Sequence, residues 1–394
     1  PRGSRAESGA AGFIAGPRCS AYRGSQSCPC PGTLPRGWTE PQGCLPFGMR
    51  IPRMVLAPLF ALALASCASS SPGAVAPAVS PDAPPPQGGP DEAEQPAPAP
   101  LVGGTDYAVF RGDGTPSSLT EIVEAADTLD VIFFGEQHDD PVTHQLQALL
   151  LGRLYQRYHR LPDGPAVHPG APGVQTPAVG GKRTVVLSLE MFERDVQSVV
   201  DEYLADLITE SHFLSSARPW DHYETRYRPM VEFARAHGLE IVAANAPRRY
   251  VNRASRLGRE SLATLPASAR QWLPPLPYPE GSAGYQAEWD ALMGPAAAHM
   301  TGTPFDAQTL WDASMGQAVA EAVDRNADAL VLHLAGSFHV SNFTGTPEAL
   351  QHYRPGTRAL VLVAEPGEVG SDLGSDQVGI GDFVIVTRVP ASPH

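Results

Sequence analysis

From residue 131 onward the chain repeats one alternation: a short, almost wholly apolar run, then a longer amphipathic stretch, then another apolar run. VIFFGEQH, TVVLSLEMF, LEIVAANAP, ALVLHLAGSFHV, RALVLVAE and DFVIVTR are the apolar runs. The stretches between them include DPVTHQLQALLLGRLYQRYHR, RDVQSVVDEYLADLI, YETRYRPMVEFARAHG and TPEALQHYR, with further helices expected over 248 to 263 and 307 to 326. A strand with no polar face must be covered on both sides, and strands separated by helices return parallel. The expected fold is therefore α/β, a mostly parallel sheet with helices on both faces, plus a helical subdomain; the Pro/Gly-rich segment between the helices at 248 to 263 and 307 to 326 is poorly readable. Asp140 and Pro141 read as the N-cap and first residue of the helix after VIFFGEQH.

The segment before this domain reads differently. Residues 1 to 48 show no helical or strand period and are expected to be upstream, non-native translation. Residues 49 to 66 carry Arg50 and Arg53 ahead of the apolar run VLAPLFALALA, the pattern of a secretory signal too short to span as a mature helix. Leu64-Ala65-Ser66-Cys67 resembles a lipobox, so Cys67 is the expected acylation site, and Ala68 after it favours the outer membrane. Residues 67 to 100, rich in Pro, Ala and Ser, read as a tether, and 101 to 394 as the folded domain. All five cysteines lie at or before Cys67, so the domain has no thiol for disulfides, zinc ribbons or a thiolate haem ligand. The formal charge is −14, and removing the +5 of residues 1 to 66 leaves −19, which argues against nucleic acid as a partner.

Open parallel sheets bind ligands beyond the carboxyl ends of their strands. There the sequence places Glu136 and His138, Glu190, Asn245 and Arg248, and Ser337 and His339. Glu136 and His138, two residues apart, would point to one side of an extended chain. GEQH and GSFH share a Gly-x-x-His pattern about 200 residues apart, where glycine admits a close backbone approach. Taken singly, each residue has a plainer use. Glu136 can be a buried acid on backbone amides, Glu190 can pair with Arg248, His138 can cap a helix, His339 can be a core histidine, and His144 suits a supporting place.

Five blocks, GEQHDDPVTHQLQ, LSLEMFERDVQ, YRPMVEFARAHGLEIVAANAPR, LWDASMGQAVAEAV and LAGSFHV, together resemble the ChaN-like haem-binding uptake lipoproteins, a branch of a superfamily shared with erythromycin esterases and Tiki/TraB proteins. The resemblance spans roughly 120 to 388 and implies a haem-associated, periplasm-facing lipoprotein in iron uptake. Its motifs fall on Glu136, His138, His144, Glu190, Tyr227, Arg248 and His339. Haem would be held non-covalently, its iron by a tyrosine or histidine, with Tyr227 the candidate and Tyr223 the understudy, and its propionates by Arg248. The Pro/Gly insertion at 161 to 183 is long enough to cover part of the rim. The competing expectation is a divalent-metal hydrolase using His138, His339, Glu136 and Glu190, with Glu136 or Glu190 as base, or a metal-free esterase with His138 as base. Expected partners are haem and a membrane, with a homodimer left open.

The anchoring expectation is directly testable: Cys67→Ala should move the protein from the membrane fraction to the soluble one. Wild type found soluble, with an unmodified Cys67, would remove the lipid anchor.

Overall fold

The computed structural model describes residues 100–159, 183–295 and 301–388. The signal, lipobox and most of the tether, and the insertion at 161 to 183 apart from its last residue, lie outside the described residues. Eight strands form one sheet: β1 (Tyr107–Arg111), β2 (Pro116–Ser117), β3 (Val131–Glu136), β4 (Thr184–Glu193), β5 (Glu240–Asn245), β6 (Ala329–Gly336), β7 (Ala359–Gly367) and β8 (Phe383–Arg388). Their order is β2-β1-β8-β7-β3-β6-β4-β5. Every pairing from β8 to β5 is parallel, and β1 runs antiparallel to both of its neighbours, β2 and β8.

The helices are α1 (Leu119–Ala125), α2 (Pro141–Tyr158), α3 (Gln197–Leu204), α4 (Glu210–Ala217), α5 (Tyr223–Arg226), α6 (Arg228–His237), α7 (Arg248–Leu257), α8 (Ala267–Arg270), α9 (Ala283–Met293), α10 (Pro304–Arg325) and α11 (Thr346–Tyr353). They cover both faces, as the unbroken apolar strands require. Ile132 and Phe134 share a core with residues of α2, α3 and α6, whereas Val131 and Phe133 pack with α10 and α11 on the other face. A third core joins α7, α8, Tyr278 and the first half of α10.

Three expected elements end early, each for a local reason. The strand expected through Val340 stops at Gly336, whose N–H turns to the Glu190 carboxylate at 2.7 Å, and a 3-10 turn carries Ser337–His339. The helix expected across YETRYRPM is broken at Tyr227, because Pro229 has no N–H to give the preceding turn. The helix from Arg248 ends at Gly258, held at φ +78, a conformation that glycine reaches without a Cβ clash. The β1–β2 hairpin and α1 precede the alternation and were not expected from it.

Connections leave β3 toward β4 and leave β6 toward β7, so the chain reverses direction between two adjacent strands. That junction is where an open α/β sheet makes its ligand crevice. Asp140 fixes the first loop above it. Its carboxylate accepts from Val142 N at 2.9 Å, and from the hydroxyls of Thr143 and, on β8, Thr387, each at 2.6 Å. Asp140→Ala removes a helix cap and strands two buried hydroxyls, so it should cost about 2–4 kcal/mol. Urea unfolding should show a lower midpoint with an unchanged slope.

Candidate functional site

Glu136 closes β3 and is 1% exposed. An ionised carboxylate there needs donors, and it has three within hydrogen-bond range: Tyr227 Oη to Oε1 at 2.8 Å, His138 Nδ1 to Oε1 at 2.9 Å, and Gln147 Nε2 to Oε2 at 2.7 Å. His144 Nδ1 stands 3.6 Å from Oε2, and its Nε2 donates to the His138 carbonyl at 3.0 Å. Burial alone would raise the Glu136 pKa. The His138 bond, the charges of His144 and His138, and the Gln147 bond outweigh it and hold the carboxyl below its usual value.

His138 is the outward member of this group. Its side chain is 47% exposed and stands edge-on to Trp220, with ring centroids 5.0 Å apart. Burial lowers its pKa, but the Glu136 bond and the charges of Glu190 and Glu136 outweigh that and raise it, against opposition from His339. The ring lies over Gly336: a Cβ there would fall 2.9 Å from Cε1 and 3.0 Å from Nε2. The two Gly-x-x-His segments therefore meet, the glycine of one making room for the histidine of the other.

The opposite face of the sheet carries a second acid–histidine group. His339 is buried, with Nδ1 2.7 Å from Asp312 Oδ1 and Nε2 3.5 Å from Glu190 Oε1. Asp312, on α10, also accepts from Tyr285 Oη at 2.8 Å and Thr346 Oγ1 at 3.0 Å. Gln308, one helical turn earlier, donates to Tyr285 Oη at 2.9 Å and lies 3.1 Å from His339 Nδ1. Burial disfavours the imidazolium of His339, but Glu190 and Asp312 outweigh it and raise its pKa to about 9.

The structure thus brings Glu136, His138, His144 and Tyr227 into one network, and Glu190 and His339 into the adjoining one. Glu190 does not meet Arg248, which is exposed at the start of α7 and makes no ion pair among the described residues. Among the described residues, buried Tyr223 has no partner for its hydroxyl, and buried Asn245 has none for its Oδ1. Ser337 accepts from Gln137 Nε2 at 2.8 Å, beside Glu365. The expected divalent set is divided between the two networks, and no three His, Cys, Asp or Glu side chains converge on a metal position among the described residues.

Sequence reasoning passed over Gln147, Trp220, Gln308, Tyr285 and Asp312. Asp312 stands one helical turn after Gln308 on α10, and nothing in the sequence set it apart from the other polar residues of that helix. Gln147 lies one turn after His144 on α2.

Fold and rim together define a doubly wound α/β protein with its polar site at the reversal point of the sheet. The description "Haem-binding uptake, Tiki superfamily, ChaN" matches residues 122–350, more than half of the chain, and the protein belongs to that family. Among solved structures, ChaN of Campylobacter jejuni, described with cofacial haem binding, is 16% identical. The match covers 74% of this chain and 100% of that one at a TM-score of 0.51, a likeness of fold. A mutant of the erythromycin esterase EreC in its open conformation is 12% identical over 72% of this chain and 83% of its own, with a TM-score of 0.37, too loose a superposition to carry an argument. No curated protein matches the chain.

Because its folded-state pKa is raised from 6.5 to about 9, His339 stabilises the fold fully below pH 6.5 and loses that contribution as pH climbs through about 9. Thermal unfolding midpoints should fall across this window. Asp312→Asn, which removes one of the two anions, should lower the midpoint at pH 6 and flatten the fall.

Proposed function

We propose that this protein binds haem non-covalently at the carboxyl rim of its sheet and serves haem uptake at the cell envelope. In this reading Cys67 carries the lipid that holds it to the outer membrane, with the domain facing the periplasm. The observation that carries the reading is the rim itself: a half-exposed imidazole clamped by a buried carboxylate, flanked by an indole ring, at the reversal point of a haem-binding family's fold.

The residues fit such a ligand. A porphyrin needs an apolar aromatic flank, a lone pair for its iron and cations for its propionates. Trp220 supplies the first, the tyrosines and histidines of the rim are candidates for the second, and the unpaired guanidinium of Arg248 supplies the third. Bound haem would supply the iron centre, which a tyrosine or histidine of the rim would hold. The Campylobacter jejuni relative is described with cofacial haem, an arrangement that opposes two haem faces, and a second copy of this chain would supply the second face.

Titration of the purified full chain with haemin should give a saturable Soret band with stoichiometric binding. The same preparation should show no esterase or peptidase activity that a chelator abolishes. Such activity, with no haemin bound, would replace this reading with a metallohydrolase.

A further inference from the structure

Away from the strand-end rim, α10, α11 and the turn before α9 enclose a cavity of about 330 Å³. Small-molecule sites run from about 300 to 1,000 Å³, so this one suits a ligand of few atoms. Pro279, Tyr285, Ala313 and Ala349 give it apolar surface, and its charged groups are Asp312, Glu280 and Glu348, with no Lys or Arg among the lining residues.

Asp312 lines the cavity although it is only 2% exposed. An ionised carboxylate offers about four acceptor positions. Two, on Oδ1, are met by His339 Nδ1 at 2.7 Å and Thr346 Oγ1 at 3.0 Å, and one, on Oδ2, by Tyr285 Oη at 2.8 Å. The fourth, on Oδ2, has no donor among the described residues. Tyr285 is fixed as a donor to Asp312, because burial first, and then the charge of Asp312, holds its phenol well above the ordinary pKa. The charges do not balance either. The His339 ring is shared between Asp312 and Glu190, two anions around one cation. Glu348 accepts only from the backbone N–H of Ser282, at 3.2 Å, among the described residues. Glu280 lies 3.5 Å from Arg259, whose guanidinium is already 3.0 Å from Asp306.

The cavity thus combines an excess of negative charge, a buried oxygen with room for one more donor, and apolar walls. A primary ammonium on a short alkyl chain answers all three. A metal ion answers them less well, since no three His, Cys, Asp or Glu side chains converge on one position among the described residues. We propose that this cavity binds a small organic ammonium ion, whose N–H groups reach Asp312 and whose charge Glu348 and Glu280 help to meet. His339 stands between Asp312 and Glu190, so the site is distinct from the rim and does not depend on the haem-binding reading.

The test is calorimetric titration of the full chain at neutral pH with n-butylammonium, tetramethylammonium, n-butanol and calcium. n-Butylammonium should bind saturably at one site, at least about 10-fold more tightly than n-butanol, the scale of a hydrogen bond to a charged group. Tetramethylammonium, which carries the charge without an N–H, should bind more weakly than n-butylammonium. Glu348→Gln should weaken n-butylammonium binding by up to about 5-fold, the scale of a partly exposed ion pair. Glu348→Lys and Asp312→Asn should each abolish it. Circular dichroism checks the fold of each variant, and Glu348, at a partly exposed position, keeps the test decisive if Asp312→Asn fails to fold. Haemin titration of Glu348→Lys should match wild type, which separates this site from the rim. Absence of saturable n-butylammonium binding overturns the proposal. So does equal binding of n-butanol or tetramethylammonium, displacement of the amine by calcium, or wild-type affinity in Glu348→Lys.

Discussion

A carboxylate with no access to water stands at the end of the central strand, and much of the rim is arranged to keep it charged. Moving an ion of this size out of water costs several kcal/mol unless donors replace its hydration. Glu136 recruits them from separate elements: His138 from the loop after β3, Gln147 and His144 from α2, and Tyr227 from the break before α6. That requirement fixes local structure. α2 must begin where His144 and Gln147, three residues apart, both face the carboxylate, and the Asp140 cap with Pro141 starts it there. The chain must also break at Tyr227, since an unbroken helix through Pro229 would lack a backbone donor at that turn.

The other half of the rim answers the same problem with a different sign balance. Glu190 and Asp312 place two carboxylates around one buried imidazole, and the ring responds by holding a proton well above its ordinary range. His339 thereby ties β4, α10 and the turn after β6 into one unit. The backbone N–H of Gly336 bonds to Glu190, and the His138 ring packs where a side chain on Gly336 would be, so the two networks meet at this glycine. A shift of β6 relative to β3 would disturb both acid–histidine pairs together.

The parts of this design visible in the sequence are those set by periodicity. Strands buried on both faces betray themselves as unbroken apolar runs, and β3 to β8 were legible for that reason. The period of two joined Glu136 to His138, although β3 ends at Glu136 and the hydrogen bond rather than the pleat aims the ring. Asp140 and Pro141 were legible because capping is local. Partners separated by long stretches of chain were not: Asp312 meets His339 from a helix whose acid looked like one polar residue among many, and Trp220 reaches His138 from a loop with no period. Tyr227 was singled out for its phenol, yet its environment, which depends on where Pro229 breaks the helix, could not be read from residue type.

The hydrogen bonding of Glu136 also bears on what chemistry the rim performs. Oε1 already accepts from both Tyr227 and His138, and Oε2 accepts from Gln147 with His144 close by. A general base must take a proton from a substrate or a water, and a metal ligand must offer a lone pair to an ion. The three hydrogen bonds that make its burial tolerable also fix the orientation of the Glu136 carboxylate, and losing one of them would leave the buried charge less compensated. Its influence on the rim passes through the His138 ring: the carboxylate holds the proton on Nδ1, and the half-exposed ring packs over Gly336. Such an arrangement holds a half-exposed imidazole in one orientation beside the Trp220 ring, at the reversal point of the sheet.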